Sequence, residues 1–448
     1  MPNFKERLHN VIPGGAHTYS RGDDQFPYNA PEILEKGTGA YVFSPDGTKY
    51  LDYGMGLRSV NIGYGNIEIA DACYEEIIKG NNLTRASTTE LRAAELLVEL
   101  IPSVEMVKFA KHGSTVTTAA VKLARAYTNR KYIAVPVEQP FFSFDDWFIG
   151  STVMNKGTLE EVSNFTIKFH YNDIDSLNNL FKEYDGQIAC VIMEAATTLS
   201  PCDLSCDKNN YCSDCPNNKT NFLHQVQNVC KKNATIFILD EMITGFRWHL
   251  QGAQTFYNIE PDLCTFGKAM ANGQAVAALG GKAAIMRLGS ILNEGEERVF
   301  LTSTTHGAEM SALGAFIKTV EIMKRDKIVE HYWSYGEQLM EGMNQISEKL
   351  GIRKYFYVEG FPCSPNYITK DNAGKVSLLF RTLFAQSMLD KNILMPYIAI
   401  SYAHQTKELD ATLKAVEYSL KIYKNALEGE INTYLKSKSI KSVFRKFN

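Results

Sequence analysis

Residues 235–247, Thr-Ile-Phe-Ile-Leu-Asp-Glu-Met-Ile-Thr-Gly-Phe-Arg, constrain this chain more than any other stretch. An apolar, β-branched run that ends in an acid reads as a buried strand delivering a carboxylate to the edge of a sheet. A second short run, Thr265-Phe266-Gly267, then delivers Lys268, 28 residues (268 − 240) after Asp240, among small and apolar neighbours. A buried acid and one lysine, each delivered by a strand, are the two groups needed to operate pyridoxal phosphate (PLP). The lysine forms a Schiff base with the cofactor, and the acid keeps the pyridine nitrogen protonated so that the ring accepts electrons.

With 448 residues, two or three hydrophobic cores are expected. A hydrophobic fraction of 45% and a charged fraction of 22% are those of a soluble globular protein. The net charge of −3 gives no reason to expect a nucleic acid or an anionic membrane as partner. The opening residues, Met1-Pro2-Asn3-Phe4-Lys5-Glu6-Arg7, are polar, and no apolar stretch approaches the ~20 residues that span a bilayer. A cytoplasmic enzyme is therefore expected, with its nine cysteines as thiols or metal ligands.

Residues 39–53 read as two short strands around an Asp46-Gly47 turn. From about residue 60 to 310, apolar strand patterns alternate with helical ones, which predicts an α/β architecture with a largely parallel sheet covered by helices. The strands are expected at Val107–Ala110, Tyr132–Pro136, Ala189–Met193, Thr235–Leu239 and Ala275–Gly280. The domains are expected to be an N-terminal segment, 1–60, a large cofactor-binding domain, 61–320, and a C-terminal small domain, 321–448. The basic tail after Lys436, ending Val443-Phe444-Arg445-Lys446-Phe447, reads as either a solvated terminus or a segment that docks on the body.

The segments Asp240-Glu241-Met242-Ile243-Thr244-Gly245-Phe246-Arg247 and Phe266-Gly267-Lys268-Ala269-Met270-Ala271-Asn272-Gly273 resemble, in order and spacing, the cofactor segments of the class III aminotransferases, in their glutamate-1-semialdehyde aminomutase-like branch. That resemblance runs from Pro13 to the last helix. It implies the PLP-dependent transferase fold type I, with a large domain around a mostly parallel sheet of the seven-stranded type and a small α/β domain from the N- and C-terminal segments. Lys268 would then hold the cofactor and move protons, and Asp240 would face the pyridine nitrogen. The phosphate would lie at Gly113, Ser114 and Thr115, where Lys111-His112-Gly113-Ser114-Thr115 opens a helix whose N–H groups and dipole suit an anion. Here His112 and Thr115 replace the family's Ser and Glu. Phe141, in the run Phe141-Phe142-Ser143, would stack on the ring, the alternative being that Phe141 and Phe142 are simply core, and Ile243 or Met242 would cover the other face. Thr304 would reach the cofactor phosphate of a second subunit, making the enzyme a homodimer.

On the substrate side the resemblance places Arg21 on a carboxylate, as guanidinium chemistry favours, with Arg58 a second anion contact and Glu194 close by. The departures gather on this side while Asp240 and Lys268 are kept. They point to an aminotransferase that takes an amino group from a donor, glutamate by default, to a small aldehyde, keto or sugar-derived acceptor. The alternative is the aminomutase itself; a PLP racemase, a decarboxylase or a non-catalytic PLP-binding protein ranks lower. Finally, Cys202, Cys206, Cys212 and Cys215 crowd a polar insert at 200–218. They could hold a structural zinc, or remain reduced thiols or a redox-labile pair.

Overall fold

The computed structural model describes residues 3–196, 199–202, 221–292 and 294–448. The chain forms two compact units: one from residues 67–329 with 444–448, the other from 1–66 with 330–443.

The first unit is built on a seven-stranded sheet. Its strands in chain order are β1 (Met106–Ala110), β2 (Tyr132–Pro136), β3 (Thr166–Phe169), β4 (Ile188–Glu194), β5 (Ile236–Asp240), β6 (Leu263–Phe266) and β7 (Ala277–Gly281). They lie in the order β1-β7-β6-β5-β4-β2-β3. Pairing is parallel from β6 through β3, while β7 runs antiparallel to both β6 and β1. Every residue of β4, β5 and β6 is buried, as central strands covered on both faces require. Helix Gly113–Thr128 packs Val116, Ala120, Leu123 and Ala124 onto a core shared with Ile133, Ile192, Ile238 and Leu279. The expected strands are present, and β3 is the addition. Its sequence, Thr-Ile-Lys-Phe, is too short and mixed to announce itself, and it forms as an edge strand paired only with β2.

Because β4, β5 and β6 run parallel, their C-terminal tips emerge along one edge. Glu194 lies in register with Asp240, and Asp240 with Thr265. This is the edge at which open α/β sheets present ligand-binding groups.

The second unit carries a four-stranded sheet. Strands Tyr41–Phe43 and Lys49–Asp52 are the two expected around the Asp46-Gly47 turn; Lys36–Thr38 adds to the first, and Ile393–Leu394 adds in parallel to the second. Helices Ile328–Lys349, Leu378–Leu389 and Thr406–Glu428 and the hairpin Phe356–Phe361/Ser364–Thr369 are its other main elements. Among the described residues no helix is long and apolar enough to cross a membrane.

One glycine fixes the distance between the two strands that matter most. A Cβ on Gly245, just past β5, would sit 2.7 Å from the Glu241 carbonyl oxygen and 2.7 Å from the Phe266 ring at the end of β6. Neither neighbour can move without shifting Asp240 or Lys268. Gly245→Ala is therefore expected to lower unfolding stability by roughly 1–3 kcal/mol, read as the urea midpoint; an unchanged midpoint would contradict this packing.

Candidate active site

Asp240 is the last residue of β5 and is 2% exposed. Its Oδ1 accepts hydrogen bonds from the Met242 N–H (2.9 Å) and the Thr265 hydroxyl (3.0 Å). Its Oδ2 receives none among the described residues, so one lone-pair face of the carboxylate remains for a ligand N–H. Burial pushes its pKa up to about 6, against the opposing pull of the Lys268 charge and the two donors.

Lys268 follows Gly267 at the end of β6 and opens the short turn Lys268–Ala271. Its backbone φ is +41°, an uncommon left-handed conformation for a residue with a side chain. Such strain gathers at functional positions that the surrounding structure holds in place. Glu241, wholly buried, ties the end of β5 to β6 and to the turns that follow β5. Its backbone N–H bonds the Thr265 carbonyl (2.8 Å), while its carboxylate accepts from Thr244 Oγ1, Ala253 N (2.9 Å) and Gln254 N (2.9 Å).

The phosphate-type loop lies in the same unit. As the first residues of helix Gly113–Thr128, Gly113 and Ser114 have N–H groups that no earlier turn can receive. Thr115 Oγ1 bonds His112 Nδ1 at 2.9 Å. Thr117 Oγ1 donates to the Phe142 carbonyl (2.8 Å) and the Phe144 N–H donates to Ser114 Oγ (3.2 Å), stitching the helix start to the Phe141–Phe144 segment. Phe142 is buried in the core, whereas Phe141 is 44% exposed. That contrast leaves Phe141 as the ring able to stack on a ligand. Opposite, Met242 is buried with its sulfur 2.9 Å from where a Cβ on Gly113 would lie, and 2.6 Å from one on Gly267. Met242 thus packs on both the phosphate-type loop and the lysine strand, while Ile243 is half-buried. Of the two, Met242 is the better placed to line a ring site.

Sequence order alone did not reveal Thr265, Thr117 or Gln139. Gln139 is buried and clamps the backbone of Glu194 from both sides, Oε1 to its N–H (2.8 Å) and Nε2 to its carbonyl (2.9 Å). Thr265 meets Asp240 because the two are register partners on adjoining parallel strands, which puts their side chains on the same face of the sheet.

A family model for aminotransferase class-III matches residues 19–200 and 214–364. The chain belongs to the class III aminotransferases. It is 32% identical over 429 residues to the 3-aminobutyryl-CoA aminotransferase of Cloacimonas acidaminovorans, covering 94% of this chain and 97% of that one. It is 28% identical over 432 residues to a glutamate-1-semialdehyde 2,1-aminomutase of Alkaliphilus oremlandii, covering 92% and 96%. Among solved structures it resembles the FumI protein of Sphingopyxis sp. MTA144 in its PLP internal aldimine form, with a TM-score of 0.82 at 23% identity over 98% of both chains. It also resembles a glutamate-1-semialdehyde aminomutase of Pseudomonas aeruginosa PAO1, at 0.77 and 18% over 93% of both. This is the PLP-dependent transferase fold type I, and the protein is a PLP-dependent enzyme. The open carboxylate oxygen of Asp240, the N–H groups at the start of helix Gly113–Thr128 and the exposed face of Phe141 fit that cofactor.

In this class III enzyme the remaining predicted residues are placed as follows. Thr304 is exposed, in an irregular segment whose Glu309 is bridged by Lys111 (2.7 Å) and His306 (2.8 Å). Glu194 is 5% exposed at the tip of β4, beside Asp240. In the other unit, Arg21 ends the turn Tyr19–Arg21, and its side chain is exposed on a cleft of about 990 Å³.

Arg58 has a different job from a bare anion contact. Residues Met55, Gly56, Leu57 and Arg58 have φ of +40°, +57°, +61° and +68°, a left-handed turn costing roughly 1–2 kcal/mol per non-glycine residue. Arg58 Nη1 donates to Ser364 Oγ and the Ile398 carbonyl, each at 3.0 Å. Asp52 accepts from Gly54 N (2.7 Å), Met55 N (3.0 Å) and the Tyr64 hydroxyl (2.7 Å). Arg58 is therefore a brace for this turn.

Cys202 is a buried thiol, and Cys206, Cys212 and Cys215 lie outside the described residues. Among the described residues no group of three or more His, Cys, Asp or Glu could hold a metal ion.

The pKa of Asp240 gives a signed prediction. A carboxyl raised from 3.8 to about 6 on folding is protonated more fully in the folded than in the unfolded chain between those values. Folding stability of the cofactor-free protein therefore carries no penalty from Asp240 below pH 3.8. It falls as pH rises to about 6, by at most about 3 kcal/mol. Asp240→Asn should remove that slope. A wild-type minus variant stability curve that stays flat from pH 4 to 6 would refute the assignment.

Proposed function

We propose that this class III enzyme is an aminotransferase moving an amino group from an amino acid donor, glutamate in the first instance, to an aldehyde or ketone. The observation that carries this is the pairing of a buried Asp240, one carboxylate oxygen open, with Lys268 at the next strand tip. When bound, PLP supplies an electron sink conjugated to the substrate's α-carbon. The chain's residues do the rest. Asp240 would meet the pyridine nitrogen of the cofactor, with the Met242 and Thr265 donors keeping its charge in place. The N–H groups of Gly113 and Ser114, with the Thr115 hydroxyl, take the phosphate. Phe141 and Met242 enclose the ring and exclude water from it. Lys268 Nζ would hold the cofactor and, once displaced by the donor amine, would be the base that takes and returns the proton of the substrate α-carbon. Arg21 is assigned to a substrate carboxylate, and Glu194 to the approach beside Asp240.

The aminomutase reading shares all of these groups. The substrate-side departures favour transfer to a separate acceptor: Gly54-Met55-Gly56-Leu57 replaces the segment where the aminomutases carry a tryptophan, and Ala195 follows Glu194. A relative named for a coenzyme A thioester substrate supports acceptors larger than a semialdehyde.

We further assign a homodimer in which Thr304 of one protomer serves the phosphate site of its partner. Helix Ile67–Ile78 supports this by exposing Ile67, Tyr74, Ile77 and Ile78 together, an apolar face that water alone does not favour. Sedimentation should give twice the protomer mass, and a monomer would remove the role given to Thr304.

Adding glutamate to the yellow, PLP-loaded protein should bleach its visible band as the cofactor gains the amino group. Lys268→Ala should still bind the cofactor but lose at least about 10³-fold in that half-reaction. Turnover of the variant at the wild-type rate would exclude Lys268 from the chemistry. A wild-type band that resists every amine donor would exclude transamination.

A further inference from the structure

Phe141 offers its ring from a weakly supported stretch of chain. Residues 137–145 form neither helix nor strand, and no hydrogen bond among the described residues involves the Phe141 backbone. Its neighbours are better held, the Phe142 carbonyl by Thr117 Oγ1 and the Phe144 N–H by Ser114 Oγ. The Phe141 ring can turn about its side-chain torsions, so its tilt must come from whatever packs against it.

Two rings do so. Phe148, buried in the core with Phe142 and Trp147, meets Phe141 with centroids 6.1 Å apart and planes at 86°. The other arrives from a remote part of the chain: Phe444, with centroids 6.4 Å apart and planes at 43°. Residues 444–448 belong to the same compact unit as Phe141. Phe444 is half-buried there, whereas Phe447 is 79% exposed, with Lys446 Nζ 5.8 Å from its ring centre. The tail therefore docks through one of its two rings and leaves the other in water. With both neighbours in place, 44% of Phe141 remains open, which is the surface left for a ligand.

A ring that must lie flat on a planar ligand gives up rotamer freedom when the ligand binds, and packing it beforehand lowers that cost. The contacts at 86° and 43° differ in inclination, so together they restrict the plane of Phe141 more than either does alone. We propose that Phe444 is a positioning residue for cofactor binding, setting the tilt at which Phe141 lies on the cofactor ring. This role rests on the assignment of Phe141 to the ring face. Nothing is bonded or transferred at Phe444, which acts only through Phe141.

The test uses the full-length, PLP-loaded protein. Loss of its visible band on dilution reports release of the cofactor, and the circular dichroism of that band reports how asymmetrically the ring is held. Phe444→Ala should speed release about three- to tenfold, the range of one aromatic pair, and weaken the dichroism. Phe444→Tyr keeps the ring and should restore both. Phe444→Leu keeps apolar cover without a ring and should behave as Phe444→Ala, with a Tm close to wild type. Phe447→Ala should change neither readout. Phe141→Ala should also speed release, and in that background Phe444→Ala should add nothing. Wild-type release and dichroism in Phe444→Ala and Phe444→Leu, an equal effect of Phe447→Ala, or full additivity in the double variant would each overturn the role of Phe444. If Phe141→Ala changes neither readout, the ring-face assignment fails and takes Phe444 with it. If Phe141→Ala acts and Phe444→Ala does not, the assignment stands and only the tail's role is lost.

Discussion

The burial of one carboxylate organises the first unit. An Asp240 taken out of water at the tip of a central strand is unfavourable unless its charge is met, and the protein meets it from three directions: a backbone N–H, a threonine hydroxyl on the adjoining strand and the lysine beyond it. Those partners come from β5, β6 and the turn after each, so the carboxylate fixes the register at which the strands end. Glu241, buried next to it, spends its oxygens on the following turns and leaves Asp240 as the acid with an open face. Two adjacent acids thus differ in their surroundings: Glu241 spends its oxygens on structure, and Asp240 keeps one oxygen open.

Much of this was legible in the residues. A run of β-branched residues ending in an acid can only be a central strand, and β5 appears within one residue of its expected span. The helix after Gly113 and the two strands around Asp46-Gly47 were also readable, because turn chemistry and hydrophobic period agree there. What the sequence hid are contacts between segments far apart in the chain. Thr117 bonding the Phe142 carbonyl, Gln139 clamping Glu194 and Thr265 reaching Asp240 depend on strand order, which a single sequence leaves open. Arg58 adds a contact of the same kind: its Nη1 bonds to Ser364 and Ile398, more than 300 residues away, could not be read from its own segment.

The two units carry different kinds of constraint. In the first, the cofactor-facing groups sit on strand tips and a helix start, elements fixed by a sheet with fully buried central strands. In the second, Arg21 and Arg58 sit on short turns near the N-terminus. Such elements can vary in length and charge without disturbing the sheet. The chain is similar along most of its length both to a protein named as a mutase and to one named as a transferase.

The left-handed turn at Met55–Arg58 bears on how such a site can change over generations. Its backbone is held by Asp52, Tyr397, Ser59 and Arg58 through bonds to main-chain atoms or to neighbouring groups, none of which involves the Leu57 side chain. Leu57 nonetheless lines the cleft. The loop therefore behaves as a rigid mount with an interchangeable tip: new side chains can be sampled at position 57 while the mount keeps its shape. Selectivity can drift there in single steps, without each step first having to re-establish a fold.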